Sequence, residues 1–184
     1  MSDLHCKDLC MTFTDPMSGG KVEALKNIQF DLKEGQILTV LGPSGCGKTT
    51  LLNMIAGFIT PTSGALSLGD ADIQGPGAER GMVFQQGALF EWLTVARNVD
   101  FGLRMKGMAE ADSKDAVEFW LETVGLQGFG DTPTYQLSGG MQQRVALARC
   151  VGNDRSLILM DGRLGALDAR TCGEMQSLIL GVCK

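Results

Sequence analysis

A glycine-rich segment, Gly42–Thr49, limits most strongly what this chain can fold into. It reads G-P-S-G-C-G-K-T and fits the pattern G-x-x-x-x-G-K-[ST]. The apolar run Ile37–Leu41 before it predicts a buried parallel strand, and Thr49–Ala56 after it predicts a helix that ends at Gly57. Such a loop, placed between a strand and a helix, directs backbone N–H groups and a helix N-terminus toward phosphates. The segment therefore predicts a nucleoside triphosphate site.

The residue types in this loop suit that chemistry. Lys48 brings a positive charge to the β- and γ-phosphates, and the Thr49 hydroxyl is a Mg²⁺ ligand. The glycines allow close approach of the backbone because they carry no Cβ. We therefore expect a nucleoside triphosphate and Mg²⁺ as the bound cofactors. The candidate nucleotide-binding residues of the loop are Gly42, Pro43, Ser44, Gly45, Cys46, Gly47, Lys48, Thr49 and Thr50.

A second segment, Ser156–Asp161, is an apolar run that closes on a carboxylate. A carboxylate at the end of a strand can hold the Mg²⁺ that accompanies nucleotide phosphates. Asp161 is therefore the candidate metal ligand, and the two segments together indicate a nucleotide site more firmly than either does alone.

Composition indicates one domain with a core, since 44% of the 184 residues are hydrophobic. No apolar stretch is long enough to span a membrane, and the N-terminus lacks the pattern of a signal peptide. The net charge of −5 argues against nucleic acid as a partner. The six cysteines form no C-x-x-C pair, which favours reduced thiols over a zinc site.

The single domain divides into three predicted regions. Residues 1–86 form a β subdomain and the nucleotide-binding core, in which Arg80–Phe84 is a strand. Residues 87–136 form a helical subdomain, with helical periodicity from Ala109 to Val124. Residues 137–184 begin with Ser138-Gly139-Gly140, a turn that opens a helix and offers a second anion-binding N-terminus.

The segment Leu137–Arg144 resembles the signature motif of ATP-binding cassette (ABC) transporter ATPases. Gln85 resembles the Q-loop of that family, and Ala166-Leu167-Asp168 resembles its D-loop. Phe13 stands where the family often places an aromatic residue that stacks on adenine. The stretches 72–81 and 88–93 resemble the ATPase subunits of taurine, sulfonate and nitrate importers.

The resemblance implies an α/β fold: a P-loop NTPase (RecA-like) core, an N-terminal antiparallel β subdomain and an inserted helical subdomain. Two such domains would pair head-to-tail around two ATP molecules. Ser138, Gly139 and Gly140 of one copy would face the γ-phosphate bound by the other. Thr49, Gln85 and Asp161 would hold Mg²⁺, and Asp168 would act from the D-loop.

The resemblance also implies partners and a location. The chain would bind transmembrane permease subunits through residues 87–136, at the cytoplasmic face of the membrane as a peripheral protein. A periplasmic or extracellular substrate-binding protein would act with it indirectly, and no nucleic acid is expected. The implied function is ATP-driven uptake of a small anion.

Two departures from the family pattern bear on catalysis. The family places a glutamate general base after the metal carboxylate, where this chain has Gly162. Loss of such a base costs about 10²–10⁴ in rate. The family also has one further strand and a switch histidine beyond this point, so we expect a C-terminally truncated chain whose C-terminal strands are missing and whose Ile37–Leu41 strand faces an open slot. The alternatives are a nucleotide-binding remnant without turnover and a soluble, non-transport ABC ATPase.

Overall fold

A computed structural model describes residues 3–84, 88–152 and 155–161. The chain divides between Arg80 and Gly81 into two compact units. Three residues singled out from the sequence, Gln85, Gly162 and Asp168, lie outside the described residues.

The first unit contains a four-stranded antiparallel sheet of order β2-β1-β3-β4. Its strands are β1 (Leu4–Thr14), β2 (Lys21–Leu32), β3 (Ser63–Leu68) and β4 (Ala71–Asp72). Strands β1 and β2 are long, with 11 and 12 residues. The register of β1 shifts between Cys6 and Leu9, where Asp8 adopts a left-handed conformation. Because of this shift, apolar and polar residues do not alternate regularly along β1. The shift changes the alternation, so that Cys6 and Leu9 are both buried.

The helix predicted after the glycine-rich segment is confirmed as α1 (Lys48–Ala56). It ends at Gly57, whose φ of 83° is the left-handed conformation typical of a C-terminal cap. Leu51, Met54 and Ile55 recur at helical spacing and are buried. This apolar face anchors the helix, and with it the loop from which the helix starts.

The strand predicted at Ile37–Leu41 is wrong for this structure. Residues 37–41 form no strand, and Ile37 and Leu41 are 51% and 87% exposed. An apolar run becomes a buried strand only where a neighbouring strand supplies hydrogen-bond partners for its backbone. Within the part of the chain that the structure describes, no strand pairs with this segment.

In the part of the chain that the structure describes, the second unit contains three helices. They are α2 (Val95–Met105), α3 (Glu110–Thr123) and α4 (Gly139–Val151), with a single 3-10 turn at Thr134–Gln136 before α4. The helix predicted from Ala109 to Val124 is confirmed as α3, whereas α2 was not predicted. The buried residues that join the three helices are Val95, Val99, Leu103, Val117, Leu121, Val124, Leu126, Leu137, Val145 and Ala148.

Two short strands, β5 (Arg80–Val83) and β6 (Leu157–Met160), pair with each other, which confirms both sequence-based strands. Val83 of β5 packs in a smaller cluster with Ala146, Leu147 and Cys150 of α4. Helix α4 therefore buries residues in two cores, one shared with α2 and α3 and one with β5. None of the helices among the described residues is both long and apolar enough to cross a bilayer.

Candidate functional site

The glycine-rich loop of the first unit is wound around the ammonium group of Lys48. The Nζ atom donates hydrogen bonds to the carbonyl oxygens of Gly42, at 2.9 Å, and Pro43, at 2.6 Å, and lies 3.5 Å from the Sγ atom of Cys46. Residues 42–46 are exposed to solvent. The loop thus presents a positive charge at an accessible turn, as a phosphate site requires.

Gly47 fixes how the loop enters α1. Its φ is 92°, and a Cβ atom there would lie 2.6 Å from the Ala24 carbonyl oxygen and 2.8 Å from Cδ2 of Leu25. Only glycine fits without movement of β2. Gly47 is also the N-cap of α1, so no side chain caps this helix, and its first turn holds no acidic residue. The positive end of the helix dipole therefore faces the loop, and no carboxylate in the first turn of α1 neutralises it. This arrangement suits a bound anion.

Phe13 lies near the end of the sheet that supports the loop. It pairs with Val22 of β2, two residues before Ala24, against which Gly47 packs. The side chain is 42% exposed, so the ring has a free surface. This position suits the predicted stacking on a nucleotide base, which stays a prediction.

The predicted helix start at Ser138 is confirmed in the second unit. The Oγ atom of Ser138 accepts a hydrogen bond from the Met141 N–H at 3.3 Å, which caps α4. Nε2 of Gln142 donates to the Thr134 carbonyl oxygen at 3.1 Å and so ties the helix to the turn before it. Ser138 and Gly139 are exposed, and a Cβ at Gly139 would meet nothing within 4 Å. A ligand can therefore approach this helix end closely.

Asp161 follows β6 directly. Its N–H donates to the Val83 carbonyl oxygen at 2.9 Å, so the backbone that carries the carboxylate is fixed to β5. No group of three or more His, Cys, Asp or Glu side chains suited to a metal ion occurs among the described residues. The structure thus places residues 42–50 and Phe13 in the first unit, and Ser138, Gly139, Gly140 and Asp161 in the second.

The sequence-based interpretation missed an aromatic cluster in the second unit. The Phe90 ring centroid lies 5.3 Å from that of Trp92 and 4.6 Å from that of Phe101. Asn98 is fully buried beside this cluster. Its Oδ1 atom accepts from the Phe90 N–H, and its Nδ2 atom donates to the Phe90 carbonyl oxygen. The aromatic residues are a visible signal in the sequence, but nothing there marks Asn98 as buried.

Comparison with known proteins supports the family resemblance found in the sequence. Residues 25–163 match the family model described as ABC transporter. The chain is 67% identical over all 184 residues to the taurine import ATP-binding protein TauB of Pelagibacter ubique, and it covers 69% of that protein. It is 55% identical over 184 residues to the taurine import ATP-binding protein TauB of Jannaschia sp., with 68% of that protein covered.

Among solved structures, the chain resembles the dimeric post-hydrolysis state of the ATP-binding cassette MJ0796 bound to ADP and Pi. The TM-score is 0.87 at 31% identity, covering 98% of this chain and 83% of that one. A second dimeric structure of MJ0796 gives a TM-score of 0.85 at 32% identity, covering 96% and 81%. These likenesses confirm the predicted α/β, P-loop NTPase fold class. The chain belongs to the ABC transporter family, among its ATP-binding proteins.

Proposed function

We propose that this chain is the ATP-binding subunit of an ABC importer that takes up a small anion such as taurine, another sulfonate or nitrate. The single observation that carries the proposal is the 67% identity over the whole chain to a taurine import ATP-binding protein. The stretches 72–81 and 88–93, which resemble this importer group, support the same substrate class.

ATP would bind to the first unit at the glycine-rich loop. Lys48 would exchange its bonds to the Gly42 and Pro43 carbonyl oxygens for bonds to phosphate oxygens, which carry more negative charge. Backbone N–H groups of the loop and of the first turn of α1 would surround the phosphates. Phe13 would stack on the base. These roles are inferred from local geometry and from the motif.

Mg²⁺ fits the donor atoms that the chain offers. Thr49, Gln85 and Asp161 carry hydroxyl, amide and carboxylate oxygens, the ligand class that Mg²⁺ prefers. At nucleotide sites Mg²⁺ is usually held by one or two protein ligands together with phosphates and water. When bound, the ion neutralises phosphate charge. The chain would contribute these oxygens as ligands.

The importer would contain two ATP-binding subunits arranged head-to-tail. The dimeric structures of MJ0796, one bound to ADP and Pi, support pairing of two subunits, and the head-to-tail order is what the family resemblance implies. Because the Ser138 Oγ accepts its capping bond, its O–H is able to donate to the partner's γ-phosphate. Gly139 and Gly140 would add backbone N–H groups. The division into regions 1–86, 87–136 and 137–184 is part of this proposal.

The permease would bind to the helical region, at the cytoplasmic face of the membrane. Trp92 is 80% exposed, Met105 is 75% exposed and Phe101 is 44% exposed. Phe101 and Met105 are four residues apart on α2 and so share a face. Exposed apolar clusters of this kind mark interaction sites. A substrate-binding protein would act indirectly, through the permease.

One observation favours a second candidate, a subunit that binds nucleotide without turning it over. Gly162 has no side chain with which to orient the attacking water. Both candidates share the nucleotide site and the permease surface, and they differ only in phosphate release.

Co-purification with a permease tests the proposed function. The chain is expressed with the transmembrane subunits of a taurine importer, which carry the affinity tag, and with those of an unrelated importer as the comparison. We expect retention by the taurine permease, weakened by Trp92→Ala and unaffected by Phe119→Ala, which removes an exposed aromatic residue from α3. A folded chain that neither permease retains would contradict the proposal.

A further inference from the structure

Residues 88–94, here called the aromatic loop, precede α2 and carry Phe90 and Trp92. The loop is supported from within by Asn98 of α2. Its Oδ1 atom accepts from the Phe90 N–H at 2.9 Å, and its Nδ2 atom donates to the carbonyl oxygens of Phe90, at 3.1 Å, and Thr94, at 3.0 Å. Because Asn98 is fully buried, these bonds have no competition from water.

A second support comes from α4. Nη2 of Arg149 donates to the Ala88 carbonyl oxygen at 3.0 Å, and the guanidinium carbon lies 5.2 Å from the centre of the Phe90 ring. This geometry combines a charge-assisted hydrogen bond with a cation–π contact. Burial lowers the pKa of Arg149 from its ordinary value, so the group is partly desolvated where it meets the loop.

The backbone at this contact is strained. Ala88 has a φ of 41°, in the left-handed region that alanine rarely adopts. Such a conformation persists only where the surroundings hold it, and it occurs most often at functional sites. Arg149 holds the carbonyl group of this same residue.

Helix α4 connects the contact between Arg149 and Ala88 to Ser138, at the helix N-terminus that is predicted to face phosphate. Its 13 residues, Gly139–Val151, form about 20 Å of helix, with Ser138 as the N-cap and Arg149 in the last turn. The helix is buried against two cores, through Val145 and Ala148 in one and through Ala146 and Leu147 in the other. A helix packed on both sides moves as a rigid element.

We propose that Arg149 is a positioning residue that joins the aromatic loop to α4, so that nucleotide contact at Ser138–Gly140 is transmitted to the surface carrying Phe90 and Trp92. The inference rests on the proposed function, in which ATP closes on the N-terminus of α4 and the permease binds the aromatic loop. In this proposal Arg149 acts through the aromatic loop and has no contact of its own with ATP or substrate.

Hydrogen exchange on the full chain, with and without Mg·ATP, tests this link. Peptides covering 138–142 report on the α4 N-terminus. Peptides covering 88–94 report on the Phe90 and Leu93 amides, which donate to Asn98 and to the Phe90 carbonyl oxygen. In the wild type we expect ATP to slow exchange in both segments, by about tenfold. In Arg149→Ala the 138–142 response remains and the 88–94 response is lost.

Two variants complete the design. Arg149→Lys keeps a cation that can donate to Ala88 but loses the planar group over Phe90, so it should restore part of the response. Arg97→Ala removes an exposed arginine of α2 and should leave both responses intact. If Arg149→Ala does not fold, Arg149→Lys provides the test. A response of Arg149→Lys at 88–94 equal to that of the wild type would overturn the inference.

The remaining outcomes separate the inference from the proposed function. A wild-type response at 138–142 without one at 88–94 overturns the inference alone, as does an Arg149→Ala chain that responds fully in both segments. If ATP slows exchange in neither segment of the wild type, the proposed function fails and the inference fails with it.

Discussion

The Lys48 ammonium group and the Gly42 carbonyl oxygen lie 2.9 Å apart, across the width of the glycine-rich loop. This bond, with the one to Pro43, holds a positive charge at the loop before any phosphate arrives. Binding of ATP would exchange two neutral acceptors for charged ones. The loop's own residues therefore hold this charge in place, which suits the proposed nucleotide site.

Cys46 reports on occupancy of this loop. The side chain is exposed, so N-ethylmaleimide should label it, whereas Cys150, buried with a pKa raised to about 11, should label slowly at pH 8. Mg·ATP at ten times its Kd should slow labelling of Cys46 about tenfold. Peptide mass spectrometry measures the rate at each site, and half-buried Cys10 of β1 serves as the unprotected control. Equal labelling of Cys46 with and without ATP would place the nucleotide elsewhere.

Asn98 should be among the most sensitive positions for stability. Replacement by alanine leaves the Phe90 N–H and several carbonyl groups without their buried partner, at a cost of about 2–3 kcal/mol. Urea denaturation measures the loss. The exposed Gln127→Ala should change the free energy of unfolding by less than about 0.5 kcal/mol. Equal effects of the two substitutions would show that the buried amide contributes no more than a surface residue.

Alkaline pH should destabilise the second unit through Cys150. Burial raises the pKa of this thiol from 9.0 to about 11. Below pH 9 both states hold the proton, but between about pH 9 and 11 the unfolded chain loses it first, so stability falls as pH rises. Between roughly pH 8.5 and 10.5, the urea midpoint of the wild type should therefore decline more steeply than that of Cys150→Ala. Parallel declines would exclude Cys150 as the cause.

The features that sequence predicted well depend on local chemistry. Ser138 caps the helix that follows it, and Gly57 ends α1 in a left-handed conformation, because each effect acts within one turn. The strand at Ile37–Leu41 failed because strand formation depends on a partner, which the apolar run cannot specify.

Other features depend on contacts between distant residues. Arg149 and Ala88 are 61 positions apart, and their bond exists only because α4 packs beside the loop. Asn98 is an ordinary polar residue in sequence, and its burial follows from the path of residues 90–94 around it. Neither contact leaves a periodic signal that sequence alone can reveal.

We expect the glycine at position 162 to limit catalysis. Without a general base, phosphate release should fall about 10²–10⁴-fold below that of a family member with glutamate at this position. Nucleotide binding should be retained, because it uses other residues. A phosphate-release assay should give equal rates for the wild type and Lys48→Ala. Wild-type turnover at the rate of a glutamate-containing relative would refute this assignment.

Calorimetric titration with Mg·ATP tests the central claim, that the loop around Lys48 is the nucleotide site. We expect the wild type to bind and Lys48→Ala to lose about 2–3 kcal/mol, the scale of a charge-assisted contact. Lys114→Ala removes an exposed lysine from α3 as the charge-matched control, and it should bind like the wild type. A large loss for Lys48→Ala alone is the predicted result. Equal affinities for all three proteins would contradict the account.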